Sequence, residues 1–150
     1  MSSSLPISPT IVIDASVAIW AILPVMSTVD VISHFVTWRQ ANCEIHVPSL
    51  WLAECTSVIR RAVHTNLIQS KEGLIALEDL FALDAVVTPT TAQHCRMAYA
   101  WATRLAQAKA YDSFYLALAE ELGATFFTAD KRLANSAQQL GVGWVYWIGN

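Results

Sequence analysis

The sequence predicts an α/β sandwich on a mainly parallel sheet. Short, unbroken apolar runs have the length and β-branched content of buried strands, and stretches of helical spacing lie between them. No Pro/Gly/Ser-rich linker or charge block divides the 150 residues, one domain's worth of chain, so 1–150 is expected to be a single domain with a flexible N-terminal segment over 1–9.

Ile11 to Ile13 form the first strand, with Asp14 at its end. Ser16 is expected to cap a helix over Val17 to Leu23, which Pro24 ends. Ser27 or Thr28 is expected to cap the next, where Val31, Ile32, Phe35, Val36 and Trp38 recur at roughly helical spacing up to Asn42. Glu44 to Val47 reads as a second strand. Ser49 then precedes a helix over Leu50 to Ala62, with Leu52, Cys55, Ile59 and Val63 along one side and Glu54 about one turn in.

Ser70 opens a helix through Ala82, packing by Leu74, Leu77, Leu80 and Phe81. Ala85 to Val87 is a third strand, closed by Pro89. Thr90 or Thr91 starts a helix towards Ala106, and Ala110 begins another that carries Asp112, Tyr115, Leu116 and Ala119 and ends at Gly123. Thr125 to Thr128 is the next strand, Asp130 begins a helix to Leu140, and Gly143 leads into a last strand, Trp144 to Trp147.

Asp14, Glu54, Asp112 and Asp130 each sit in or beside an apolar segment, whereas an acid is normally kept in water. In parallel sheets ligands gather beyond the carboxyl ends of the strands. Asp14 and Asp130 follow strands, and Asp112 and Glu54 lie in the first turns of helices, so all four are expected on one ridge. At an effective dielectric of about 20, two carboxylates roughly 4 Å apart repel by about 4 kcal/mol. Either some are protonated, or one or two hard cations offset them.

Oxygen-only donors favour Mg²⁺ or Mn²⁺, and no Cys/His spacing suggests zinc. A cation so held can acidify a water and clamp the oxygens of a phosphodiester, which is nuclease chemistry. Ser16 and Thr128, each two residues from an acid, are candidates to orient a carboxylate, a water or a phosphate oxygen. Each residue also has a plainer reading: Asp14 and Asp130 as helix caps, Asp112 as a partner of a helix dipole, Glu54 as a solvated helix residue, Ser16 and Thr128 as local backbone partners. The four acids together favour the site.

Composition narrows the classes. A net charge of −3 argues against a protein that holds nucleic acid by bulk basicity. Apolar residues make up 55% and charged ones 14%, so apolar surface is expected to need an oligomer or a protein partner. Cys43, Cys55 and Cys95 read as thiols in a reducing compartment, and neither a signal peptide nor a membrane span is supported, so a cytoplasmic location is expected. His34, His46, His64 and His94 share no ligand spacing. Arg60, Arg61 and His64 are candidates for an RNA-binding face, and Trp20 and Leu23 for a partner groove.

The segments IVIDASV, VPSLWLAEC, AYDSFYLALAEELGATFFTAD and the continuation KRLAN, in that order and spanning nearly the whole chain, resemble the PIN domain, and more narrowly the VapC-type toxin ribonucleases of toxin–antitoxin pairs. The resemblance implies a three-layer α/β/α fold and a Mg²⁺ or Mn²⁺ site in which Asp14, Glu54, Asp112 and Asp130 hold the metal and Ser16 assists. It implies cleavage of single-stranded or looped RNA, a homodimer, and an antitoxin that occupies an apolar groove. One departure is that Lys131 and Arg132 follow Asp130 where some relatives carry another acid. The rival reading is a catalytically silent PIN-like module that holds RNA or protein. A phospho-accepting enzyme is disfavoured because Ser16 stands where a second Asp is required.

Overall fold

A computed structural model describes residues 9–149; the expected flexible segment over 1–9 therefore lies, apart from Pro9, outside the described residues. Five strands, β1 (Thr10–Ile13), β2 (Glu44–Pro48), β3 (Val86–Thr88), β4 (Thr125–Thr128) and β5 (Val145–Trp147), form one sheet in the order β3-β2-β1-β4-β5, with every neighbouring pair parallel. Pro9 extends it, its carbonyl accepting from Glu44 N at 2.8 Å.

Seven helices, α1 (Ala15–Ile22), α2 (Ile32–Gln40), α3 (Leu50–His64), α4 (Ser70–Ala82), α5 (Ala92–Arg104), α6 (Tyr111–Leu122) and α7 (Lys131–Gln139), make the crossovers. Ile11, Val12 and Ile13 are wholly buried, because β1 is the central strand and both of its faces are covered. On β4 successive side chains enter opposite layers. Phe126 stacks on Tyr115 of α6, with ring centroids 6.0 Å apart, and Phe127 meets Trp38 of α2 at 4.9 Å. Helices on both faces of a parallel sheet give the three-layer α/β/α arrangement expected from the sequence.

Helix starts show where local reading fails. Asp14, not Ser16, caps α1: its carboxylate accepts from Val17 N, and Ser16 lies within the helix. Neither Ser27 nor Thr28 caps α2. A 3-10 turn over Pro24–Met26 intervenes, and the Asp30 carboxylate takes the first-turn N–H of Ser33. Thr91, of the two threonines, caps α5, and Gly123 closes α6 with φ 61°. The last strand begins one residue later than expected; Trp144 precedes it and accepts from Phe126 N.

Helices α3 and α4 approach closely at Gly73, where a Cβ would lie 2.6 Å from Val63 Cγ2. Val63 is β-branched and stiff in a helix. Gly73→Ala is therefore expected to cost about 1–3 kcal/mol by overpacking, despite alanine's better helix propensity. Urea unfolding reads it, and a variant as stable as the parent would show that Val63 yields freely.

Candidate active site

The strand order reverses direction at β1 and β4: the chain winds outward from β1 to β3, then returns to place β4 on β1's other side. Such a switch point opens a crevice beyond the carboxyl ends of the two strands. Asp14 leaves the end of β1, and Thr128 and Asp130 leave the end of β4.

Asp14 is 6% exposed, and both of its carboxylate oxygens are engaged. Ser16 Oγ donates to Oδ1 at 2.5 Å, Thr128 Oγ1 donates to Oδ2 at 2.5 Å, and Val17 N adds a bond of 3.2 Å to Oδ1. Each hydroxyl also accepts from the loop after β4: Ser16 Oγ from Ala129 N and Thr128 Oγ1 from Asp130 N, both at 3.0 Å. Ser16 and Thr128 thus orient Asp14 and tie the ends of the two central strands together. An ionised carboxylate accepts about four hydrogen bonds, so Asp14 keeps a site for a ligand.

Burial pushes the Asp14 pKa from 3.8 up to about 6, against the lowering effect of its hydrogen bonds and with a further push from Asp112. Burial also raises Asp112, as does neighbouring Asp130, and burial raises Glu54, opposed by Tyr115 and assisted by Asp112. Asp112 is therefore the hub through which all four acids feel one another. Among the described residues its carboxylate receives no hydrogen bond, and none of the four is ion-paired.

Glu54, on the second turn of α3, accepts from Tyr115 Oη at 2.5 Å. Tyr115 is buried, so the hydroxyl has nowhere else to donate, and burial followed by the Glu54 charge lifts its pKa. Asp112 and Tyr115 are three residues apart and face the same side of α6. That spacing was the available signal for a role beyond packing. Tyr115→Phe is expected to cost roughly 1–3 kcal/mol by removing a hydrogen bond to a charged group. A cleavage assay on the same variant should show a fall of about 10-fold as Glu54 loses its anchor; unchanged stability and rate would mean the bond contributes nothing.

Asp130 caps α7, accepting from Arg132 N at 3.0 Å and Leu133 N at 3.2 Å. Trp147 supports this turn in a way its place in the C-terminal aromatic segment did not announce: its Nε1 donates to Ala129 O at 3.2 Å, and Lys131 Nζ lies 4.9 Å from its ring centroid. A Cβ on Gly149 would overlap the indole, so the close fold of the chain over Trp147 needs glycine there.

Not every expected residue joins the site. Arg60, Arg61 and His64 are exposed further along α3. Trp20 and Leu23 do not line the apolar groove between α1, α2 and α4; its walls are Ala21, Ile22, Ile32, Phe35, Val36 and Leu83, with Arg39 and Asp79 at the edge and a volume of about 370 Å³. Leu23 is instead 5% exposed and part of the core.

The donor chemistry fits a hard divalent cation, since the four carboxylates are oxygen donors and, among the described residues, none of them is ion-paired with a protein cation. Among the described residues, however, no three His, Cys, Asp or Glu side chains lie in an arrangement that holds an ion as they stand. Asp14, Glu54 and Asp130 are drawn to their own hydrogen-bond donors, and Asp112 alone is unengaged.

Residues 11–138 match the family model described as the PIN domain. The chain is 33% identical over 128 residues to the VapC ribonuclease Mb0985 of Mycobacterium bovis, covering 85% of this chain and 91% of that protein, and equally to ribonuclease VapC9 of Mycobacterium tuberculosis. Among solved structures, PAE2754 from Pyrobaculum aerophilum superimposes with a TM-score of 0.64 at 15% identity, over 85% of this chain and 78% of that one. VapBC2 from Rickettsia felis, bound to a DNA fragment from their promoter, gives 0.60 at 15% identity over 84% and 92%. With its three-layer fold and a family match over most of its length, the chain belongs to the PIN domain family and, within it, to the VapC-type proteins.

Proposed function

We propose that the protein is a Mg²⁺- or Mn²⁺-dependent endoribonuclease and the toxin of a toxin–antitoxin pair. The observation that carries this reading is the convergence of acids at the switch point of the sheet: Thr128 joins Asp14 to Asp130, Asp112 lines one cavity with Asp130, and among the described residues none of them is ion-paired. The family membership and the ribonuclease relatives support the substrate.

Asp14, Glu54, Asp112 and Asp130 would hold the ion. Bound there, it supplies positive charge for the phosphodiester and makes a water more acidic. The chain's own groups prepare that chemistry. Ser16 and Thr128 fix the plane of the Asp14 carboxylate, Tyr115 holds Glu54, and the first turn of α7 holds Asp130. Asp112, with no hydrogen bond to give up among the described residues, is the carboxylate of the four that would turn most freely towards the ion.

A cognate antitoxin is the proposed occupant of the apolar groove between α1, α2 and α4, where Ile32 and Val36 stand 53% and 48% exposed. A homodimer belongs to the same reading. Among the described residues no helix is long and apolar enough to cross a membrane, and action on RNA suits the cytoplasm.

Mn²⁺ titration by calorimetry, with cleavage of single-stranded RNA assayed on the same samples, tests the proposal. Binding that accompanies metal-dependent cleavage is expected. Binding without cleavage would transfer the protein to the silent RNA- or protein-holding module, and no binding would dissolve the acid site.

A further inference from the structure

A polar cavity of about 410 Å³ opens between the α5–α6 loop and α7, within the size range of small-ligand sites. Asp112 and Asp130 form one wall, so anything inside it lies against the acid cluster. The other polar residues of the lining, Gln107, Lys109, Arg132 and Ser136, all carry donors, and leucines and alanines complete it.

Two features separate this cavity from an ordinary solvated dent. Lys109 and Arg132 share it with two carboxylates, yet among the described residues neither forms an ion pair with them. Their charges stay available to an outside anion. Lys131, by contrast, is placed over Trp147. In a chain of net charge −3, whose acid cluster repels phosphate, such local cations are what lets a polyanion approach.

The second feature is the fixed orientation of Gln107. Its Oε1 accepts from Ser113 Oγ at 3.2 Å, and Ser113 is fully buried. The backbone before it is equally held: Gln107 N donates to Ala102 O at 2.9 Å, and Ala106 sits in the left-handed region at φ 53°. With its oxygen taken, the carboxamide retains its NH₂ for a ligand.

We propose that this cavity is a nucleotide subsite, which takes the residue next to the scissile bond of a single-stranded RNA, with Lys109 and Arg132 on its phosphate and the Gln107 amide on its base. This rests on the ribonuclease reading. Phosphate contacts set position and base contacts set preference, so the two kinds of residue should fail differently.

The test uses the full chain with a labelled single-stranded RNA of mixed sequence, measuring binding across a salt series and steady-state cleavage. Arg132→Gln and Lys109→Gln should each reduce the salt slope of binding by about 0.7, the value for one phosphate on a single strand. Each should raise KM about 10-fold with kcat within about 2-fold, as for lost uniform binding. Gln107→Ala should keep the slope and change the order of preference among four substrates that differ only at that nucleotide. Arg96→Gln, on the exposed face of α5, should behave as the parent.

Lys109, Arg132 and Arg96 are exposed, so their variants should unfold at the parent's temperature, whereas Gln107→Ala orphans the buried Ser113 hydroxyl and should unfold a few degrees lower, its preference being read well below that temperature. A parent that cleaves while Arg132→Gln and Lys109→Gln keep its slope and KM overturns the subsite and leaves the ribonuclease standing. A parent that neither binds nor cleaves RNA overturns both.

Discussion

Asp14→Asn is expected to abolish RNA cleavage and, without metal, to give a protein more stable near neutral pH than its parent. Asp14 is 6% exposed, and burial lifts its pKa from 3.8 to about 6 although Ser16, Thr128 and Val17 all hydrogen-bond to it. Between these values the folded chain holds a proton that the unfolded chain releases. Stability from this group is therefore complete below about pH 4, falls as pH rises through about 6, and is flat above. Two units correspond to about 3 kcal/mol.

An asparagine removes the charge and with it that loss. It offers only one accepting oxygen to two donating hydroxyls, so one must turn away at a cost of about 1 kcal/mol. A net gain of about 1–2 kcal/mol at pH 7.5 follows. Urea unfolding in EDTA at pH 4.5 and 7.5 should show the parent losing more stability with pH than the variant, whose remaining fall comes from Glu54 and Asp112, also raised by burial.

Metal should reverse the ranking. An ion at 100 times its Kd stabilises the folded state by about 2.7 kcal/mol, and only the parent should gain it. Cleavage should fall at least about 1,000-fold, the loss of several kcal/mol of charge stabilisation. Full activity in Asp14→Asn would remove Asp14 from the chemistry.

The sequence carried the five strands and their connecting helices because each is a local pattern: β-branched runs at the centre of a parallel sheet, apolar residues at helical spacing on its covers. Chain ends of elements were less legible. Ser16 and Asp14 are both good capping residues, and only the bond from Ala129 N, reaching 113 positions along the chain, occupies Ser16 elsewhere. The expectation that Ser16 and Thr128 hydrogen-bond near an acid was sound in kind; that both converge on the two oxygens of Asp14 is a consequence of β1 lying beside β4. Tyr115, Gln107 and Trp147 were read as packing or passed over for the same reason. Their partners Glu54, Ser113 and Ala129 become neighbours only when the sheet and helices assemble.

Thr128→Val is expected to be the most damaging change that removes no acid. Thr128 is wholly buried, and valine keeps its shape, so packing changes little. The hydroxyl, however, is at once the donor to Asp14 Oδ2 and the acceptor for Asp130 N. Its loss leaves a buried carboxylate oxygen short of a partner and a backbone N–H unpaired. A hydrogen bond to a charged group contributes about 1.5–3 kcal/mol, and Asp130 N, on an exposed residue, adds about 0.5–1, so a loss of about 2–4 kcal/mol is expected at pH 7.5. The two acids it positions follow different strands, and cleavage should drop about 100-fold as both lose their alignment. Thr128→Ser separates this from simple cavity formation: it restores the hydroxyl and lacks one methyl, so it should recover most of the activity while remaining about 1 kcal/mol less stable. If the serine variant is as inactive as the valine, the methyl group rather than the hydroxyl maintains the site, and the link between Asp14 and Asp130 through this residue is wrong.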